Sequence, residues 1–172
     1  YNALTASTGG NNDAFGTGAL AACTTGTGNA AFGRGCLNSI TSGSSYNSGF
    51  GHEALNALTT GAYCTAMGFE ALHDNSTGSN NTAVGFKAGD KVTTGANNVF
   101  IGADTGNNTT TASANTYVGH NAGGNNASGE VNTYIGMNAG ANMTTGSYNI
   151  CLGYASNSSS NTSTGQCTLG DS

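Results

Sequence analysis

The chain has 172 residues, of which 29 are Gly and none is Pro, and eight acidic against three basic residues leave a net charge of −5. Leu, Ile, Val and Phe supply only 23 residues, too few for an ordinary globular core, yet the charge is too low for common disorder. The scarcity of basic residues argues against a phosphate-tracking surface, so we expect no nucleic-acid partner.

Two further features limit the possibilities. No run of 18 apolar residues is present, so we expect no membrane insertion. The five Cys show neither C-x-x-C spacing nor Cys–His pairing, so we expect them to act as small apolar residues rather than in disulfides or a metal site. Because the chain starts at Tyr1 in the middle of a repeat, we expect it to be a piece of a longer protein.

One phrase, NTAVGFKAG from Asn81, recurs in variants along the chain. Aligned on the Gly that follows a large apolar residue, here called the anchor Gly, the copies lie 17 residues apart, with one spacing of 18. The anchors are Gly16, Gly33, Gly51, Gly68, Gly85, Gly102, Gly119, Gly136, Gly153 and Gly170. Helical repeats need longer units and tolerate few Gly, so the period predicts an all-β, parallel β-solenoid (β-roll or β-helix) of about ten coils over residues 1–172.

The three residues before each anchor form the predicted strand. The residue directly before the anchor is large and apolar in every copy, and we expect this column to fill the coil: Phe15, Phe32, Phe50, Met67, Val84, Ile101, Val118, Ile135, Leu152 and Leu169. By period-two alternation the middle residue lies on the opposite face, where we expect it to meet a neighbouring chain. That column is Ala14, Ala31, Gly49, Ala66, Ala83, Phe100, Tyr117, Tyr134 and Cys151.

An amide column precedes the strand, four residues before each anchor. It holds Asn12, Asn29, Asn47, Cys64, Asn81, Asn98, Asn115, Asn132, Asn149 and Gln166. Since each amide can both donate and accept, the column predicts a ladder that fixes the register between coils.

The column four residues after the anchor changes halfway, from Leu20, Leu37, Leu55 and Leu72 to Gly89, Gly106, Gly123 and Gly140. We expect the lost Leu to be balanced by the rings gained in the middle of the strand. This divides the domain into Leu-type coils, 1–85, and Gly/aromatic-type coils, 86–172. Each coil closes with Thr-Thr-Gly or a relative, as at Thr59–Gly61, and we expect a positive φ at that Gly.

The few large apolar residues of each coil bury too little area to offset the conformational entropy lost when the coil is ordered. We therefore expect self-association. One apolar stripe along a rod is best covered in a closed homotrimer, intertwined or side by side.

The motif N-T-A-V-G-x-x-A-L/G followed by T-T-G resembles the glycine- and asparagine-rich repeats of phage and other viral tail fibres. More distantly, it is similar to the heads of YadA-like trimeric autotransporter adhesins. The resemblance implies a homotrimeric shaft on a virion, or on an extracellular or cell surface, that serves host attachment through a receptor such as a glycan. The closing residues 168–172 resemble the end of tail-fibre shafts before a cleavable chaperone domain.

We expect no enzyme, and no catalytic, cofactor or metal site. His52, His73 and His120 are interpreted as isolated surface residues, and Glu53, Glu70, Lys87 and Asp104, which share one column, as a charge-balanced ladder. The phrase VGFKAG resembles a hexapeptide of left-handed β-helix acyltransferases, which need three such units per coil. The preferred function is a viral tail-fibre segment. The alternatives are an adhesin head or other extracellular filament and, third, an ice-binding solenoid with Thr ladders.

Overall fold

The protein is a parallel β-solenoid. The computed structural model describes residues 3–4 and 8–170, so the last two residues of the segment likened to shaft ends lie outside the described part. The strands are β1 (Asp13–Phe15), β2 (Ala30–Phe32), β3 (Ser48–Phe50), β4 (Thr65–Met67), β5 (Thr82–Val84), β6 (Val99–Ile101), β7 (Thr116–Val118), β8 (Thr133–Ile135), β9 (Ile150–Leu152) and β10 (Cys167–Leu169). The described residues contain no helix, and none of their segments is a helix long and apolar enough to cross a membrane.

Each strand pairs in parallel with the next one along the chain, so the ten strands form one sheet in sequence order. The register is set by the repeat: Ala66 pairs with Ala83, and Phe100 with Tyr117. Equivalent residues therefore stack on one another from coil to coil. At the ordinary strand separation of about 4.8 Å, the ten strands extend along about 43 Å of the rod.

The two faces of the strands are the reverse of the sequence-based expectation. The middle residue is buried, and Ala66, Phe100 and Tyr134 have no exposed surface, whereas the residue directly before the anchor lies outside. Phe32 and Ile101 are 42% and 41% exposed. The physical reason is the narrow cross-section of a 17-residue coil, whose interior selects side chains by fit and not by hydrophobicity alone.

The interior is filled by two alternative combinations of residues. In the coil of β4, Ala66 is accompanied by Leu72, and both are fully buried. In the coil of β8 a ring replaces the Leu side chain: a Cβ on Gly140 would lie 2.3 Å from Cδ2 of Tyr134. The predicted exchange of Leu for rings is confirmed, but the two residues fill the same interior and do not lie on opposite sides of the coil, because the middle residue of the strand is buried.

The amide ladder is also confirmed. The main-chain N–H of Asn115 donates to Oδ1 of Asn98 at 3.0 Å, and its Nδ2 donates to the same oxygen at 3.2 Å and to the Gly129 carbonyl at 3.0 Å. In turn Oδ1 of Asn115 accepts from the N–H of Asn132 at 2.9 Å. Because these side chains are fully or almost fully buried, each bond both satisfies a buried polar group and fixes coil spacing.

The corner geometry differs from the prediction. The Gly of Thr-Thr-Gly does not have a positive φ; a Cβ on Gly61 would instead lie 2.4 Å from the carbonyl oxygen of Gly78 in the next coil. The positive φ falls two residues later, at Tyr63 (59°) in this coil. Close approach of two backbones, and not a left-handed turn, therefore selects Gly at the corner.

Candidate functional site

An apolar strip, here called the outer strip, lies along the outer face of the sheet. It consists of the residues directly before the anchors: Phe15, Phe32, Phe50, Met67, Val84, Ile101, Val118, Ile135, Leu152 and Leu169. Seven of the ten are exposed, from Phe50 at 39% to Phe15 at 75%, and Val84, Val118 and Leu152 are half-buried. Apolar patches of this length are uncommon on monomers and mark interaction surfaces.

Parallel in-phase pairing positions the strip. Because equivalent residues stack, the rings of Phe32 and Phe50 lie face to face with centroids 5.1 Å apart and planes 2° from parallel. Such stacking gives the strip a continuous apolar surface rather than scattered side chains.

A second, interrupted apolar strip lies one residue after the anchors. Its exposed members are Phe69, Phe86, Met137 and Tyr154. His52, Phe69 and Phe86 form a ladder of stacked rings, with centroids 5.1 and 5.5 Å apart. The rod thus presents two apolar columns on either side of the anchor Gly, which turns the chain away from the sheet.

The charged residues gather beside this second strip. The group, here called the charged cluster, contains every Lys and Arg of the chain: Arg34, His52, Glu53, Glu70, His73, Asp74, Lys87, Asp90 and Lys91. They come from the coils of β2 to β5 and from four columns of the repeat. Of these, only Glu53, Glu70 and Lys87 were predicted to lie together, and the rest of the cluster was not evident from the sequence.

Glu53 is the centre of the cluster's first half. Nη2 of Arg34 lies 3.1 Å from Oε1 of Glu53, and Nε2 of His52 lies 3.7 Å from the same oxygen. Nε2 of His73 lies 3.7 Å from Oε2 of Glu53. The interpretation of His52 and His73 as isolated surface residues was therefore wrong, because the turn of the coil brings both imidazoles to one carboxylate.

Lysines balance the other carboxylates. Nζ of Lys87 lies 3.0 Å from Oε2 of Glu70, and Nζ of Lys91 lies 3.3 Å from both Asp74 and Asp90. The predicted balance of Glu70 by Lys87 is confirmed, whereas Glu53 is balanced by Arg34 from a neighbouring column. Outside the cluster, His120 lies 3.9 Å from Asp104.

Proton affinities follow these contacts. The hydrogen bond to Glu70 raises the pKa of Lys87, and the negative charge of Asp90 raises the pKa of Lys91. Partial burial acts to raise the pKa of Asp74, but hydrogen bonds from His73 and Lys91 outweigh it and the pKa is lowered. All three shifts favour the charged forms, so the ion pairs persist at neutral pH.

The cysteines belong neither to the two apolar strips nor to the charged cluster. Cys23, Cys36, Cys64 and Cys151 are buried, and Cys167 is exposed. Burial raises the pKa of Cys36 to about 12, which makes it an inert thiol. The burial of four of the five agrees with the expectation that they act as small apolar residues, whereas Cys167 is exposed.

The Thr pairs of the corners are used internally. The first hydroxyl of each pair donates to a carbonyl of the next coil, as from Thr59 to Ser76 at 2.9 Å and from Thr93 to Thr110 at 3.1 Å. A hydroxyl committed to a backbone carbonyl is less free to order water, so the corner Thr columns do not favour ice binding.

Comparisons with protein-family models, curated proteins and solved structures found no match to this chain.

Proposed function

We propose that this chain is a structural segment of an extracellular attachment fibre, a viral tail fibre in the first instance, which assembles as a homotrimer along the outer strip. The single observation that carries the proposal is the outer strip itself, a continuous apolar surface on a rod whose interior is already filled. Its burial by further copies would supply the apolar area that one thin core lacks.

The two strips support a ring rather than a pair. A heterologous contact, in which the outer strip of one copy packs on the second strip of the next, forms a closed ring when the rotation permits. Three is the smallest ring of this kind. Parallel copies about an axis along the rod also place equivalent coils side by side, so all ten rungs of the strip are covered together.

The test is the mass of the purified protein by light scattering, together with charged substitutions in the strip. We expect a trimer for the wild type. Ile101→Lys combined with Ile135→Lys should give monomers that keep the β circular dichroism, because both side chains point out of the coil.

The matched control is Thr111→Lys with Thr145→Lys, at exposed corner positions of other columns. This variant should remain trimeric. A wild type that is monomeric at micromolar concentration, or a control that dissociates as readily as the strip variant, would contradict the proposal.

The repeat phrase and its Thr-Thr-Gly corners support the tail-fibre assignment over the related alternatives. A tail fibre is expected among the proteins of purified virions, detectable by mass spectrometry. An adhesin head is expected instead in cell envelopes, within a longer protein that carries a coiled coil and a membrane anchor. In either setting the fibre would present its surface to a host receptor, for which a glycan is one candidate.

A further inference from the structure

We propose that His52, Glu53 and Glu70 form a binding site for a divalent transition metal, with Zn²⁺ as the fitting ion. His52 and Glu70 are eighteen residues apart in the sequence and match no ligand motif, so this site was not predicted. The solenoid brings one imidazole nitrogen and two carboxylate oxygens within 4.8 Å of one another.

The donor set selects the metal. Imidazole with two carboxylates suits zinc and similar transition metals, whereas calcium and magnesium prefer oxygen ligands alone. Three such donors around zinc lie about 3.4 Å apart at ordinary bond lengths. Nε2 of His52 and Oε1 of Glu53 are already 3.7 Å apart, so small side-chain rotations would complete the set.

The imidazole has a fixed orientation. Nε of Arg34 donates to Nε2 of His52 at 2.9 Å, so the lone pair of Nε2 is directed at this guanidinium. The ring is held by stacking on Phe69, with centroids 5.1 Å apart and planes 6° from parallel. Nε2 of His52 and Oε1 of Glu53 therefore both face one guanidinium, whose position a metal ion would take.

One cation already occupies this position. The guanidinium of Arg34 contacts both Nε2 of His52 and Oε1 of Glu53, which are two of the proposed ligand atoms. Its side chain is 64% exposed and can turn out into solvent. Zinc binding would therefore displace Arg34 from both atoms, and would compete with Lys87 for Glu70.

The experiment is titration of the metal-stripped 172-residue chain with ZnCl₂, followed by calorimetry and by the shift in Tm. We expect one zinc per chain and a higher Tm. His52→Ala and the near-isosteric Glu70→Gln should each weaken zinc binding at least tenfold. Arg34→Ala should strengthen it several-fold, because the competing cation is removed.

His120→Ala is the matched control, because His120 occupies the same column four coils away beside a single carboxylate. It should bind zinc as the wild type does. His73→Ala distinguishes the neighbouring group of His73, Asp74 and Asp90, which has similar composition. Loss of binding in His73→Ala with retention in His52→Ala, or no zinc binding by a folded wild type, would overturn the proposal.

Discussion

At the scale of single residues, the anchor Gly carries two constraints together. Gly68 has a φ of +144°, and a Cβ there would lie 2.1 Å from the carbonyl oxygen of Gly85 in the next coil. Any other residue would be strained at this φ, and its Cβ would have to displace the adjacent coil.

We therefore expect Gly68→Ala to lower the free energy of unfolding by about 3 kcal/mol or more. Gly43→Ala is the control, because Gly43 also has a positive φ (+80°) but has no atom within 4 Å of its Cβ position. It should cost only about 1 kcal/mol, the backbone strain alone. Chemical denaturation measures both, and equal losses would show that close approach of the coils is unimportant.

Cys64 interrupts the Asn column of the amide ladder, so a substitution there tests whether an added amide stabilises the rod. Elsewhere in the ladder the side-chain oxygen of Asn accepts from the main-chain N–H of the equivalent residue in the next coil, whereas Cys64 presents only its sulfur to the N–H of Asn81. Cys64→Asn should restore the acceptor and donate to Oδ1 of Asn47 and to the Gly78 carbonyl, by analogy with the other coils.

We expect Cys64→Asn to raise the free energy of unfolding by about 1 kcal/mol. Cys64→Ala should lower it, since the buried thiol contacts are lost without replacement. Chemical denaturation of the two variants and the wild type measures these changes. A Cys64→Asn variant less stable than the wild type would contradict the prediction and mean that the site has adapted to the smaller side chain.

At the scale of the element, the middle residue of each strand and the fourth residue after the anchor Gly share one interior volume. Where one of them is large, the other is small. Tyr134 fills the volume above Gly140, whereas Ala66 leaves that volume to Leu72. Leu72 adopts a φ of 52° in this column, so the backbone there accepts a Leu. The effects on stability of substituting the middle strand residue and the fourth residue after the anchor in one coil should therefore not be additive.

Tyr134→Ala should cost about 3–5 kcal/mol through the cavity it leaves, and Gly140→Leu about 1–3 kcal/mol through overpacking. The double variant should be more stable than the sum predicts by at least about 1 kcal/mol, which a double-mutant cycle measures. The cycle of Phe100→Ala with Gly140→Leu, two coils apart, is expected to be nearly additive. Additivity in the first cycle would contradict the exchange.

At the scale of the whole molecule, the rod is a one-dimensional stack in which each strand pairs only with its neighbours in the chain. Removal of one full period should therefore leave a folded rod. Deletion of residues 103–119 joins Gly102 to His120, keeps every column in phase, and should shorten the rod by about 4.8 Å.

Deletion of residues 103–110, about half a period, brings Gly119 nine residues after Gly102, too few to close a coil, and moves every later column out of phase. We expect it to lose β structure, because the buried Asn side chains would no longer meet. Circular dichroism and small-angle scattering distinguish the two deletions. If both fold equally well, the register would not depend on the stacked columns.

The repeat phrase was sufficient to predict the coil length, the parallel in-phase pairing, the amide ladder and the exchange of Leu for rings. These features follow from spacing, since residues 17 apart must stack in a solenoid whatever the shape of its cross-section. The charged cluster was predicted only in part, because Arg34, His73 and Asp74 belong to columns that meet only after the chain has turned its corners.

By itself, therefore, the sequence determined the period and which residues share a face of the strand. Alternation along a strand separates two faces but does not say which one is enclosed. Only the tertiary structure decided that Ala66 and Tyr134 lie inside while Phe32 and Ile101 lie outside. The reason is that the narrow coil encloses either a small residue with Leu or a ring with Gly, and leaves its largest apolar column on the surface.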